Sequence, residues 1–252
     1  MKPSSTPRFD ILSGNLLKII AAISMVADHV GVIFFPEVQF FRYIGRLALP
    51  IFAVMIAEGC RYTKNKLRYF LSVFLLGVGC QAVYYVVSQS LYLNILLTFS
   101  LSILTLYALQ YFKATLIPGI STSKRLLAAA LFLLTVAAVA VLNRLLVFDY
   151  GIWGCMLPVF AGLTAFPHPK TPDPLKRLDH KPFHLLSLTV GMIMLIIVND
   201  TRQYFSLLAL PLLALYSGKR GKCKMKYFFY IFYPAHLALL QGLYFLINGF
   251  GT

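Results

Sequence analysis

From about residue 16 to residue 247 the chain consists of apolar runs near membrane length, separated by short polar turns. Lipid offers no partner for a backbone N–H or C=O, so each run must satisfy its own backbone as a helix. Nine such segments can be counted, at about 16–35, 44–60, 68–88, 93–112, 126–147, 151–166, 183–199, 203–217 and 227–247. Composition agrees: 59% of residues are hydrophobic and 12% charged, where a soluble domain carries about 25% charged residues. The expected fold is an all-α, polytopic transmembrane bundle of about nine spans. A single integral membrane domain is expected over residues 1–252, its bundle at 16–247. Segments six and eight fall short of the roughly 20 residues of an upright span and read as tilted, re-entrant or half-buried.

A net charge of +15 would suggest nucleic acid in a soluble chain, but no basic module interleaved with aromatics stands outside the apolar runs. Membrane topology accounts for the charge instead. Basic residues precede segment one (Lys2, Arg8, Lys18) and follow segment two (Arg61, Lys64, Lys66, Arg68) and segment four (Lys113, Lys124, Arg125). They recur after segment six (Lys170, Lys176, Arg177, Lys181) and segment eight (Lys219, Arg220, Lys222, Lys224, Lys226), leaving Arg42, Arg46, Arg144 and Arg202 for the other side. The positive-inside rule then puts the N-terminus in the cytoplasm and the chain in the cytoplasmic membrane. Cys60, Cys80, Cys155 and Cys223 show neither metal-ligand nor disulfide spacing, so no metal is expected. Residues 1–15 lack a short apolar core with a cleavage site, and no removable signal peptide is expected. The Pro-rich stretch 166–184 reads as a solvated cytoplasmic loop, and its His168, His180 and His184 as loop histidines.

Ionisable residues inside spans cost about 2.5–3.5 kcal/mol each and mark functional sites by default. Asp28 and His29 fall in the outer half of segment one. Lys18, eleven positions earlier, lies on the same face as His29, about 16 Å away along the axis. Arg46 enters segment two near the outer end, where pairing with Asp28 removes two lone charges from lipid. Glu58, about 18 Å deeper, is expected to pair with a neighbouring cation. Asn94 opens segment four and Asp149 opens segment six, both on the outer side. His236 lies at mid-membrane, two residues after Pro234, which removes a backbone donor and frees a carbonyl. Tyr150 and Trp153 read as interfacial anchors. Arg144, Asp149, Asp200 and Arg202 also fit plain loop charges at helix ends.

Several of these residues lie in stretches that resemble one family. DHVG in the first span, FRYIGRLALPIFAVMIAEGCRYTKNKLRYF, NILLTF, DYGIWG and YIFYPAHLALL resemble, in order, the TraX family of conjugal-transfer membrane proteins. That resemblance implies N-terminal acetylation of pilin with acetyl-CoA as donor. Carried over, it implies functional roles for Asp28, His29, Arg46, Glu58, Asn94, Asp149 and His236. The Lys18-x10-His29 spacing also looks like an Arg/Lys-x10-His motif of membrane acyltransferases that acetylate extracytoplasmic sugars.

The function expected is therefore an acetyl-CoA-dependent O- or N-acyltransferase serving an acceptor protein or glycan at the outer membrane face. Lys18, Arg61 and Lys64 suit the polyanionic donor. His29 is expected to act as general base or acyl carrier. Arg46, or His236 if protonated, is expected to stabilise the oxyanion. Asp28 points about 100° from its neighbour and is assigned to Arg46, which leaves Asn94 or Asp149 to orient His29. A proton-coupled transporter and a non-catalytic assembly factor are the alternatives.

Overall fold

Polar caps set where the helices begin. The computed structural model describes residues 11–222 and 225–249. Lys2, Arg8, Cys223 and Lys224 lie outside the described residues. Ser13 Oγ accepts from Leu16 N at the start of α1 (Gly14–Phe34), and Asn65 Oδ1 accepts from Arg68 N at the start of α4 (Lys66–Ser88). Asn94 Oδ1 accepts from both Leu96 N and Leu97 N, opening α5 (Ile95–Ala114). Each cap satisfies donors that the first helical turn leaves without partners.

Among the described residues, those up to 51 and from 205 onward form one compact unit, and residues 52–204 another. In the first unit α1 packs against α2 (Gln39–Gly45) and α11 (Lys226–Asn248). Residues 11–15 run beside 215–220: Leu12 N donates to Leu215 O at 3.0 Å, and Gly14 N and Asn15 N donate to Lys219 O and Arg220 O. The entry of α1 is thereby fastened to the segment that leads into α11.

In the second unit α5 is central, packed against α4, α6 (Thr122–Leu145) and α7 (Gly151–Gly162). Its Ser100, Ser102 and Thr105 hydroxyls bond back to the carbonyls four residues earlier, so polar residues are buried without loss of hydrogen bonds. α7 also packs on α9 (Lys181–Val198). α6 exposes Leu126, Leu127, Leu131, Leu133, Leu134 and Val141, an apolar surface that suits contact with lipid.

Seven described helices are long and apolar enough to cross a membrane: Gly14–Phe34, Gln39–Tyr62, Lys66–Val86, Ile95–Ala114, Thr122–Leu145, Lys181–Val198 and Phe228–Asn248. The second combines α2 with α3 (Ala48–Tyr62). The sixth expected segment is the 12-residue α7. The eighth is a 3-10 helix, Thr201–Leu208, followed by the short α10, Ala209–Ala214. The expected loop 166–184 is not simply solvated coil. It contains the one-turn α8 (Asp173–Lys176), and α9 already starts at Lys181. Cys60, Cys80 and Cys155 carry free thiols.

Candidate functional site

The connection between α1 and α2 is short, so α2 returns antiparallel along the last turns of α1. Ser24 Oγ donates to Ile44 O at 2.5 Å. Two glycines allow the close approach: a Cβ on Gly31 would stand 2.6 Å from Phe41 Cβ, and one on Gly45 would stand 2.2 Å from Asp28 Oδ1. Asp28 is thus pressed against the backbone of α2.

Arg42 and Arg46 are four residues apart, which places both guanidiniums on one face. That face meets Asp28. Arg42 Nη1 donates to Oδ2 and Arg46 Nη2 to Oδ1, each at 2.8 Å, and Arg46 Nε donates to Arg42 O at 3.2 Å. The Arg46 side chain is 7% exposed, so its charge is compensated where water is scarce. The expected Asp28–Arg46 pair is present. Arg42, which sequence reasoning left as a charge of the outer side, is its second member; the i, i+4 spacing to Arg46 was the available signal.

His29 projects from α1 toward α11. Its Nδ1 is 2.9 Å from Met25 O and 3.3 Å from His236 Nε2, and the two rings lie 5.1 Å apart. His236 Nδ1 is 3.0 Å from Phe232 O. A carbonyl can only accept, so both Nδ1 atoms carry protons. His236 Nε2 then accepts a share of the His29 Nδ1–H, and His29 Nε2 holds a lone pair. The Phe232 ring stacks on His236 at 5.2 Å and 11°, and α11 continues through Pro234. The charges of Asp28, Arg42 and Arg46 all act on His29.

Within the first unit, Met25 O and His236 are the groups set against His29 Nδ1. Asn94 and Asp149, the two residues the sequence offered to orient His29, belong to the second unit. Asn94 Nδ2 donates to Gly77 O and to Gln81 Oε1 at 2.9 and 3.1 Å while its Oδ1 caps α5. Asp149 Oδ1 accepts from Tyr92 Oη at 2.9 Å, and its carbonyl accepts from Thr98. Burial, then the Asp149 charge, raises the Tyr92 phenol above its ordinary value. Glu58 is half-buried on α3 in that same unit. Asp200 and Arg202 pair with one another, and the Arg202 hydrogen bonds hold the Asp200 carboxyl down to about 2.

Of the cations expected to meet the donor, Lys18 Nζ lies over the Phe229 ring at 5.8 Å and Lys64 is exposed. Arg61 is engaged by Asp179. Between α1 and α11 runs a groove of about 200 Å³, lined by Ile19, Ala22, Ile23, Val26, Phe228 and Phe232. It suits hydrocarbon; a pantetheine arm would bury two amides there without partners.

The family described as TraX protein matches residues 13–244. The chain belongs to the TraX family. It is a bacterial-type, multi-pass membrane protein. A protein of Dichelobacter nodosus named probable fimbrial assembly protein FimC, serogroup H1, is 26% identical over 255 residues, covering 89% of this chain and 92% of that one. An uncharacterised protein of Rickettsia prowazekii (strain Madrid E) is 41% identical over 54 residues, 21% of each chain. No solved structure matches.

Proposed function

We propose that this TraX-family chain transfers an acetyl group from acetyl-CoA to an amine or hydroxyl presented at the outer side of the cytoplasmic membrane. The observation that carries this reading is the His29–His236 pair. It leaves His29 Nε2 unprotonated and held in place, on the same helix as a carboxylate that grips two guanidiniums.

The acceptor attacks the acetyl carbonyl as His29 Nε2 takes its proton. The protonated imidazole is steadied through Nδ1 by Met25 O and His236. Arg42 and Arg46, fixed by Asp28, supply positive charge for the oxyanion without reorganising during the reaction. When the tetrahedral intermediate collapses, the C–S bond breaks and the proton moves from His29 to the leaving thiolate. Lys18, at the start of the helix that carries His29, is the cation assigned to the donor phosphates. The fimbrial assembly name of the Dichelobacter relative, together with the pilin acetylation associated with the family, favours a pilin-type amine over a glycan hydroxyl.

The test is acetyl transfer from radiolabelled acetyl-CoA to a pilin-type N-terminal peptide by the full chain in nanodiscs. His29→Ala should abolish transfer while the protein stays monodisperse. Normal turnover in that variant would refute the assignment of His29. Absence of transfer by the unaltered chain, together with tight binding of the peptide, would favour an assembly factor without chemistry.

A further inference from the structure

The second unit holds a hydrogen-bonded relay that the acetyl-transfer reading does not use. His184, in the first turn of α9, is engaged at both ring nitrogens. Nε2 is 3.0 Å from Asp179 Oδ1, and Nδ1 is 2.7 Å from Thr164 Oγ1, in the turn that ends α7. An ionised carboxylate only accepts, so Nε2 carries the proton and Nδ1 the lone pair, and the Thr164 hydroxyl donates to Nδ1. Hydroxyl, imidazole and carboxylate in that order make up the arrangement that activates a nucleophilic alcohol.

Both ends of the relay are held. Arg61 grips Asp179 with both terminal nitrogens, Nη1 to Oδ1 at 3.4 Å and Nη2 to Oδ2 at 3.2 Å. Lys113 Nζ donates to Gly162 O at 2.7 Å and to Ala165 O at 3.0 Å, clasping the turn on either side of Thr164. The charges of Arg61 and Lys113 both act on His184. The relay is not sealed: the side chains of His184 and Asp179 are 27% and 16% exposed, and Thr164 is half-buried. Fastening the 166–184 segment needs only the Arg61–Asp179 pair. It does not need a hydroxyl aimed at an imidazole lone pair.

We propose that Thr164, His184 and Asp179 form a second nucleophilic centre, in which the Thr164 hydroxyl takes up the acyl group of a thioester. Thr164 Oγ1 attacks the thioester carbonyl, the C–S bond breaks, and an ester forms on Thr164. The proton passes from Oγ1 to His184 Nδ1 and then to the leaving sulfur, so the products are acyl-Thr164 and a free thiol with no change of oxidation state. Thr164 is the catalytic residue that meets the donor, and Arg61 and Lys113 are positioning residues. The choice of a thioester rests on the acetyl-transfer reading; the activated hydroxyl rests on the geometry alone.

The experiment incubates the purified full chain with acetyl-CoA and, separately, with p-nitrophenyl acetate, an ester lacking any nucleotide, and maps acetyl groups by tandem mass spectrometry. Both donors should acetylate Thr164, in the unaltered protein and in His29→Ala alike. Thr164→Ser should be acetylated at the same position, and His184→Gln and Asp179→Asn should slow labelling, the former by about a hundredfold or more. Size-exclusion profiles identify any variant that has lost its fold, in which case the Thr164→Ser result decides. No acetyl at position 164 from either donor, or labelling of His184→Gln at the unaltered rate, overturns the proposal. Labelling by p-nitrophenyl acetate alone overturns the thioester as donor. Peptide acetylation with an unlabelled Thr164 overturns the proposal and leaves the acetyl-transfer reading standing. A labelled Thr164 without peptide acetylation does the reverse.

Discussion

Replacing Asp28 by Asn keeps the shape of the side chain and removes its charge, leaving Arg42 and Arg46 without their carboxylate. Both contacts are 2.8 Å, and the Arg46 and Asp28 side chains are 7% and 16% exposed. At an effective dielectric near 20, unit charges about 4 Å apart attract by about 4 kcal/mol. Removing one member of a buried pair costs about 3–5 kcal/mol, because the remaining charge stays desolvated. At ~2–4 °C per kcal/mol for a chain of this size, the thermal midpoint should fall by roughly 6–20 °C. The assay is thermal unfolding of the purified chain in one detergent, followed by intrinsic fluorescence, for Asp28→Asn, Arg46→Gln and the double variant. The double variant should be more stable than the summed losses predict, since it removes the uncompensated cation together with its partner. A midpoint within 2 °C of the unaltered protein, or strictly additive losses, would show that Asp28 does not neutralise Arg46.

Two further outcomes concern the second unit. Asn94→Ala removes the cap of α5 and the bonds to Gly77 and Gln81, and should cost about 1–2 kcal/mol, seen as a lower midpoint and faster amide exchange at residues 95–98. The Tyr92 phenol is raised by burial and by Asp149. The folded state therefore holds this proton more tightly than the unfolded one, and its contribution is complete below pH about 10 and lost as pH rises beyond that. Tyr92→Phe should lower the midpoint near neutral pH through loss of the bond to Asp149, and flatten its decline between pH 9.5 and 11 in parallel titrations of the two proteins.

The candidate site was partly legible in the chain. Burial of charge in lipid is so unfavourable that Asp28 and Arg46 had to meet, and they do. His236 was marked by its depth and by Pro234, but its bond to His29 depends on how α11 lies on α1, a contact between residues 207 positions apart. Arg42 was readable through its spacing from Arg46, yet only the return of α2 along α1 shows that one carboxylate serves both. Asn94 and Asp149 were drawn toward His29 because they share an expected depth, and depth says nothing about direction around a bundle. Within its own unit, Asn94 bonds to Gly77 and Gln81, and Asp149 to Tyr92.

His184 shows the limit most plainly. In a Pro-rich, charged stretch it looks like one more loop histidine. Its role depends on the helix ends that carry Arg61, Lys113 and Thr164, which are scattered over the sequence and meet in space. The sequence by itself determined that the chain is helical and membrane-embedded, because an apolar run in lipid has few other ways to satisfy its backbone. It also determined which ionisable residues could not stand alone. The tertiary structure decided their partners, because a helix periodicity states which face a side chain occupies and not what packs against that face. For the helix that carries Asp28 and His29, one face went to two arginines and the other to a second histidine.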